Sequence, residues 1–414
     1  MKERNIVYDP VNGLFIMNTE KKLINRTANI RDLIHWNEID ERGEKKYGFK
    51  NLTLALTTRC NLQCPYCWQS HGDNCDSDMT KETIDRWLDF FLDDKINNPN
   101  KILYYGGEPT LRMDLIEYAS KKMKAIVKER NIQQVQQHIF TNGMLLTEKN
   151  LDILQEAGAF IVLSLDGNPT VTYRTRGLDK HIYNEVIINA VKSMHRRNMK
   201  FGIACTIGDI HFDVENTAQY LINTMSPDSI EFNLRHDAAM VKKFEKETDF
   251  AYDSFFKAWD IALDAGVKVI DLAKRARAYV KHTALRNSSS GSKNKLSVMN
   301  NGNISTYNGA ISFPQLQINP NESNWMKLFR SNWERNITEQ HTECQNCEAI
   351  YICGQGSAFS SFIQYNDVSQ IPAYHCYLCK AELEYFKHRL QKCIKTEKKN
   401  YIVTEEDLKE VFLL

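Results

Sequence analysis

An α/β fold on a parallel sheet is what this sequence predicts, and three observations carry it. Between about residues 51 and 236, short apolar runs alternate with longer amphipathic stretches. The alternation repeats as six strand–helix units in series. The first four apolar runs each end in a cluster of small or polar residues. Such units favour parallel strands joined by right-handed crossovers. The result is an open or closed barrel whose reactive groups gather at the C-terminal ends of the strands.

The elements follow in chain order. Val7 to Met17 can form a small hairpin around Asn12-Gly13. Strands are expected at Leu52–Thr57, Lys101–Tyr105, Gln136–Thr141, Ala159–Leu165, Lys200–Thr206 and Ser229–Leu234. Thr80 can N-cap a helix whose Ile84, Trp87, Leu88, Phe91 and Leu92 fall at helical spacing. A second helix carries Ile116, Ala119, Met123, Ile126 and Val127. Thr147 opens a third, which Gly158 closes. Val186, Ile187, Ala190, Val191 and Met194 mark a fourth. Residues 240–286 read as helical, and the run from Asn287 to Ser292 as a flexible linker. The expected organisation is an N-terminal segment at 1–50, a barrel at 51–236, a helical connection and linker at 237–292, and a separate module at 293–414 with a helical tail from about 380.

Lys plus Arg (53) nearly balances Asp plus Glu (52), so no global field favours nucleic acid or an anionic membrane. The basic run Lys121, Lys122, Lys124, Lys128 and Arg130 reads as a solvated helix face. The opening MKERNIVYDP has no apolar signal core, and no stretch approaches membrane-spanning length, so a cytoplasmic protein is expected. In a reducing compartment eleven cysteines suggest metal or redox chemistry rather than a disulfide framework.

Cys60, Cys64 and Cys67 form a C-x3-C-x2-C loop after the first strand. Three thiolates on one loop can hold three irons of a [4Fe–4S] cubane and leave the fourth without a protein ligand. An open iron can chelate an α-amino acid such as the methionine part of S-adenosylmethionine (SAM). Zinc loops pair their ligands differently and complete a tetrahedron; Cys75 and His71 are nearby, but at no familiar interval.

With this triplet the sequence resembles the radical SAM superfamily over roughly residues 51 to 236. The resemblance implies a partial (β/α)6 barrel, a SAM-binding [4Fe–4S] cluster and release of a 5′-deoxyadenosyl radical. It also implies that Tyr66 lies against the adenine, and that Gly106-Gly107-Glu108-Pro109 is the GGEP motif that binds the SAM amino group. Glycines there let backbone approach a ligand, and Glu108 can accept from an ammonium. Ser164 and Asp166 match positions near the SAM ribose or methionine, and Asn142 is a further candidate. Arg174 or Arg176 is a candidate for the SAM carboxylate, with Arg176 the preferred one. The family's fifth-strand motif is not recognisable in Phe201–Asp209.

Cys344-Gln-Asn-Cys347, then Cys353, Cys376 and Cys379, resembles the SPASM-type extension of radical SAM enzymes that modify peptides and proteins. It implies a small C-terminal iron–sulfur domain. The full pattern has seven cysteines and two auxiliary clusters. Here Gly302 is present, but Tyr307 stands where a cysteine is expected, and Ser357 replaces the one after Cys353. One auxiliary [4Fe–4S] cluster is therefore expected, on Cys344, Cys347, Cys353 and Cys376, with Cys379 the competitor for the last place. Two C-x2-C pairs also suit zinc.

Cys205 reads as a small buried hydrophobe rather than a hydrogen-atom donor. Cys75 and Cys393 have no supporting context. His236 reads as structural, and Trp325, Phe329 and Trp333 as core. The resemblance implies a ribosomally made precursor peptide as substrate, modified by epimerisation, thioether formation or crosslinking. A flavodoxin or ferredoxin-type reductant follows from the low potential required. The rival functions are a sulfatase-type protein maturase and a non-catalytic peptide-binding or redox-sensing iron–sulfur protein.

Overall fold

The computed structural model describes residues 48–67, 69, 77–208, 212–235, 248–281, 283–285, 294–331, 344, 347, 349–354, 356–393, 401–402 and 405–414, with short strands before residue 48. His71, Cys75, His236, Asp237, Trp333 and the Asn287–Ser292 run lie outside the described residues.

Seven parallel strands form the centre: β1 (Asn51–Thr57), β2 (Lys101–Gly106), β3 (Gln136–Thr141), β4 (Ala159–Ser164), β5 (Phe201–Ile207), β6 (Ser229–Leu234) and β7 (Lys268–Val269). Their order is β7-β6-β5-β4-β3-β2-β1. The sheet continues on the other side of β1 with β8 (Lys295–Val298), parallel to it, and β9 (Ile304–Ser305), antiparallel to β8. The barrel is open, with β7 and β9 at its two edges. β7 and β8 were not expected. A two-residue strand inside a helical stretch leaves no periodicity to read, and β8 belongs to the segment read as a separate module.

The helices form as their sequences dictate. Thr80 caps α1 (Lys81–Phe91) by accepting from Thr83 N, and Ile84, Trp87, Leu88 and Phe91 are its buried stripe. α2 (Met113–Glu129) buries Ile116, Ala119, Met123 and Ile126 and leaves Lys121 and Lys128 exposed. Thr147 caps α3 (Glu148–Ala157), which ends on Gly158 in the left-handed conformation at φ 70°. α4 (Pro169–Arg176), which the sequence reading passed over, is capped by the Asn168 side chain. After a π turn at Tyr183–Ile187, α5 (Ile188–Arg196) buries Ala190, Val191 and Met194. α6 (Val214–Met225) connects β5 to β6.

The stretch read as helical is α7 (Thr248–Asp264) and α8 (Ile270–Lys281), separated by β7. α9 (Ala358–Tyr365) and α10 (Ala373–Cys393) follow. α10 is tied to α7: Tyr385 Oη donates to Asp260 at 2.8 Å, and Arg389 reaches Asp260 at 2.6 Å and Asp264 at 3.0 Å. The Phe256 and Tyr385 rings stack at 4.9 Å. Trp325 and Phe329 pack in an aromatic cluster, Phe329 edge-on to Phe49 at 5.4 Å. In the N-terminal segment Asn5–Asp9 pairs antiparallel with Leu14–Thr19. Tyr401–Ile402 adds to its other edge. Among the described residues no helix is long and apolar enough to cross a membrane.

Candidate active site

At the C-terminal rim of the barrel lies a cavity of about 730 Å³. Cys60, Cys64 and Cys67 line it, as do Tyr66, Gly106, Gly107, Glu108, Asn142, Ser164 and Arg176. Residues scattered from 60 to 176 converge because parallel strands deliver every βα loop to the same end.

The thiol loop is fixed at its root. β1 shifts register against β2 between Ala55 and Thr57, just before the loop, an irregularity of the kind that re-aims a chain beside active sites. Asp78 accepts from Thr57 Oγ1 at 2.6 Å, pairs with Arg59 at 2.5 Å and takes Arg112 at 2.6 Å. Burial opposes ionisation of Asp78, yet these donors hold its carboxyl below the usual range. Within the loop, Cys67 N donates to Cys64 O at 2.9 Å and Leu62 N to Cys60 Sγ at 3.4 Å.

The two glycines line the cavity and also seat the thiol loop. Gly107 N donates to Thr57 O and Glu108 N to Arg59 O, both at 2.8 Å. A Cβ on Gly107 would sit 2.1 Å from Arg59 O, and one on Gly106 2.4 Å from Thr57 O. Gly106 also holds φ 130°. The glycines admit the thiol loop's own backbone. Pro109 lies outside the cavity lining and opens a 3-10 turn (Pro109–Arg112), where its missing N–H is no loss.

Glu108 is 1% exposed. Its Oε1 accepts from Thr110 N and Oγ1 and from Thr141 Oγ1, and its Oε2 from Asn142 N at 2.7 Å. Burial raises its pKa despite these donors. Oε2, with a single partner, keeps room for an ammonium donor. Asn142 joins β3 to the thiol loop through Asn61 Oδ1 at 2.7 Å, a link with no sequence signal.

Asp166 anchors two residues of the cavity lining. It is fully buried and absent from the cavity lining. Its carboxylate accepts from Tyr66 Oη at 2.6 Å, Arg176 at 2.7 Å and Thr206 N at 2.9 Å. It therefore holds Tyr66 and Arg176, which line the cavity. The Arg176 guanidinium lies 5.5 Å above the Tyr66 ring. Arg174 is exposed, whereas Arg176 is buried and lines the cavity. Cys205 is buried and off the cavity, between Ala204 and Thr206, which line it.

Two features fit a bound cofactor. Arg176 Nε is buried with no hydrogen-bond partner among the described residues, an opening for a ligand acceptor. The donor set is three soft thiols. Burial pushes the Cys64 thiol up to about 11, against the pull of Arg176. Among the described residues, the metal-binding atoms that all lie within 4.8 Å of one another are those of Cys353, His375 and Cys379. The wider first triplet suits a polynuclear group better than one tetrahedral ion, whose sulfurs stand about 3.8 Å apart for Zn–S bonds of about 2.3 Å.

The far wall of the cavity comes from the C-terminal segment. Tyr307 and Ser357, the two positions that depart from the cysteine pattern, both line it, with Phe313, Phe359 and Phe362. Glu231 and Lys295 also reach it; burial raises the first pKa and, with Lys274, brings the Lys295 amine down to about 8. These residues lie in no motif and were not anticipated as site residues.

The second cysteine group surrounds the start of α10. Burial, then the neighbouring Cys353, Cys344 and Cys347 thiols, push the Cys376 thiol up to about 12. Cys379 is fully buried with its sulfur within 4.8 Å of the Cys353 sulfur, and Cys393 is exposed.

An open parallel barrel with a thiol triplet on its first loop and a Gly-Gly-Glu-Pro turn on its second defines a class of cofactor-dependent enzyme. The radical SAM superfamily matches residues 54–221, and this stretch is a radical SAM domain. The PqqA peptide cyclase of Bradyrhizobium diazoefficiens is 32% identical over 105 residues, 25% of each chain. Molybdenum cofactor biosynthesis protein 1 of Dictyostelium discoideum is 33% identical over 162 residues, 38% of this chain and 24% of that one. The chain spans well under half the length of such curated relatives. Among solved structures, anSMEcpe with bound AdoMet and Kp18Cys peptide superposes with a TM-score of 0.65 at 16% identity, over 83% of this chain and 98% of that one. Streptococcus suis SuiB bound to precursor peptide SuiA gives 0.53 at 16% identity, over 80% and 76%. These likenesses extend the shared fold beyond the barrel.

Proposed function

We propose that this radical SAM enzyme modifies a ribosomally made precursor peptide. One observation carries the reading: a single cavity joins the thiol triplet to an aromatic wall built by the C-terminal segment. Cys60, Cys64 and Cys67 would hold a [4Fe–4S] cluster, and Glu108 Oε2 and Arg176 Nε would receive the amino and acceptor groups of SAM. When bound, cluster and SAM supply a 5′-deoxyadenosyl radical able to take hydrogen from an unactivated carbon. Tyr66 closes one side of the cavity, its hydroxyl held by Asp166. Tyr307, Phe313, Phe359 and Phe362 shield the opposite side from water and offer an apolar surface to a peptide side chain. Cys344, Cys347, Cys353 and Cys376 would carry one auxiliary [4Fe–4S] cluster. A flavodoxin or ferredoxin-type protein would supply electrons.

The peptide part draws support from what the SuiB and anSMEcpe structures contain and from the name of the PqqA cyclase. The test is anaerobic reconstitution with SAM and dithionite, then coexpression with a short peptide encoded beside the gene. Formation of 5′-deoxyadenosine and a mass change in that peptide are expected. No 5′-deoxyadenosine would favour a binding or sensing protein. Cleavage of SAM with an unchanged peptide and a modified sulfatase would favour the maturase.

A further inference from the structure

Beside the four thiols assigned to the second centre lie two more potential ligands. His375 is 4% exposed and Cys379 fully buried. They stand four residues apart on α10, on one helix face. His375 Nε2 is 3.0 Å from Cys353 O and 3.4 Å from Cys379 Sγ. It lies, with both sulfurs, in the set whose atoms are all within 4.8 Å. The imidazole is held against Gly356, where a Cβ would come to 3.4 Å from its Cδ2. Arg275 of α8 acts electrostatically on both Cys353 and Cys379 and is paired with the buried Glu382. Cys376, by contrast, feels Cys344, Cys347 and Cys353 together. Six candidate donors for a four-thiolate group leave two over, and those two crowd one sulfur.

We propose that Cys379 donates a hydrogen bond to the Cys353 sulfur, that His375, seated on Cys353 O and Cys379 Sγ, is the positioning residue that orients it, and that the pair raises the reduction potential of the auxiliary cluster. Hydrogen bonds to a ligating sulfur withdraw charge from it and favour the reduced, more negative state. Arg275 adds a cation on the same side. The inference rests on Cys344, Cys347, Cys353 and Cys376 being cluster ligands.

The test uses the chain with Cys60, Cys64 and Cys67 all changed to alanine, so that the second centre is observed by itself. Iron and sulfide content and an EPR-monitored redox titration are measured after anaerobic reconstitution. His375→Ala and Cys379→Ala should each retain the iron but titrate at a more negative potential. His375→Gln, which keeps an N–H donor, should recover most of the shift, and Cys376→Ala should lose the iron. If His375→Ala does not fold, electron–nuclear double resonance on the unsubstituted centre in H2O and D2O replaces it. An exchangeable proton coupled to the cluster is expected there, and its absence would overturn the proposal. Unchanged potentials in both variants would overturn it too. So would loss of iron from Cys379→Ala with retention in Cys376→Ala, which would make Cys379 a ligand. Zinc in place of iron would instead sink the cluster assignment itself.

Discussion

The two cysteine groups are built on opposite plans. The first sits on an open rim, with Cys60 exposed and Cys64 and Cys67 half-buried beside a large cavity. Backbone contacts at Gly106 and Gly107 and a salt-bridged Asp78 place it. The second has a buried histidine, a buried spare thiol and the Arg275–Glu382 pair beside it. A centre that must take a ligand needs vacant space; one that passes electrons or holds a fold needs a saturated surround.

The sharpest way to break this contrast is to remove one thiol from each group. Cys60→Ala should reduce 5′-deoxyadenosine formation to background, whereas Cys344→Ala should preserve SAM cleavage and impair only peptide modification; chromatography of both products checks this. Next in size is Arg275→Met, which strands the Glu382 carboxylate in the interior. A loss of about 3–5 kcal/mol in denaturant unfolding is expected. Gly107→Ala probes the opposite plan, since the new methyl collides with Arg59 O. It should cost roughly 2–4 kcal/mol and lower the iron content of the first site, leaving the second filled.

Smaller still is Asp166→Asn, which removes the anchor of Tyr66 and Arg176. SAM affinity should fall roughly 10–100-fold, the usual range for residues that orient a ligand shell, measured by equilibrium binding to the reconstituted protein. A pH effect concerns α8, the helix that carries Arg275. Burial, then Glu231, raises Asp271 to about 8. The folded chain thus retains a proton that the unfolded chain releases near pH 4. Stability from this group falls as pH rises from about 4 to 8 and is flat above. Asp271→Asn should flatten that slope in a pH series of thermal unfolding.

Much of this was legible in the chain. Strand borders at Gln136–Thr141 and Ser229–Leu234 agree with the apolar runs, and the caps Thr80, Thr147 and Gly158 act as side-chain chemistry dictates. The first thiol loop and the GGEP turn meet because strand ends share a rim. What escaped reading depends on distant pairing. The seating of Gly107 on Arg59 and the withdrawal of Asp166 are facts about contacts across the barrel. The aromatic wall is the same: Tyr307 reads only as a missing cysteine until β8 and β9 bring it over the cavity.

β8 has one more consequence. It covers the flank of β1 that would otherwise present bare amides and carbonyls. A barrel expressed without residues 293–414 would display that flank as a docking template for other copies. Truncation should therefore give aggregates that a short peptide spanning 294–305 suppresses, so that solubility itself reports whether the strand is in place.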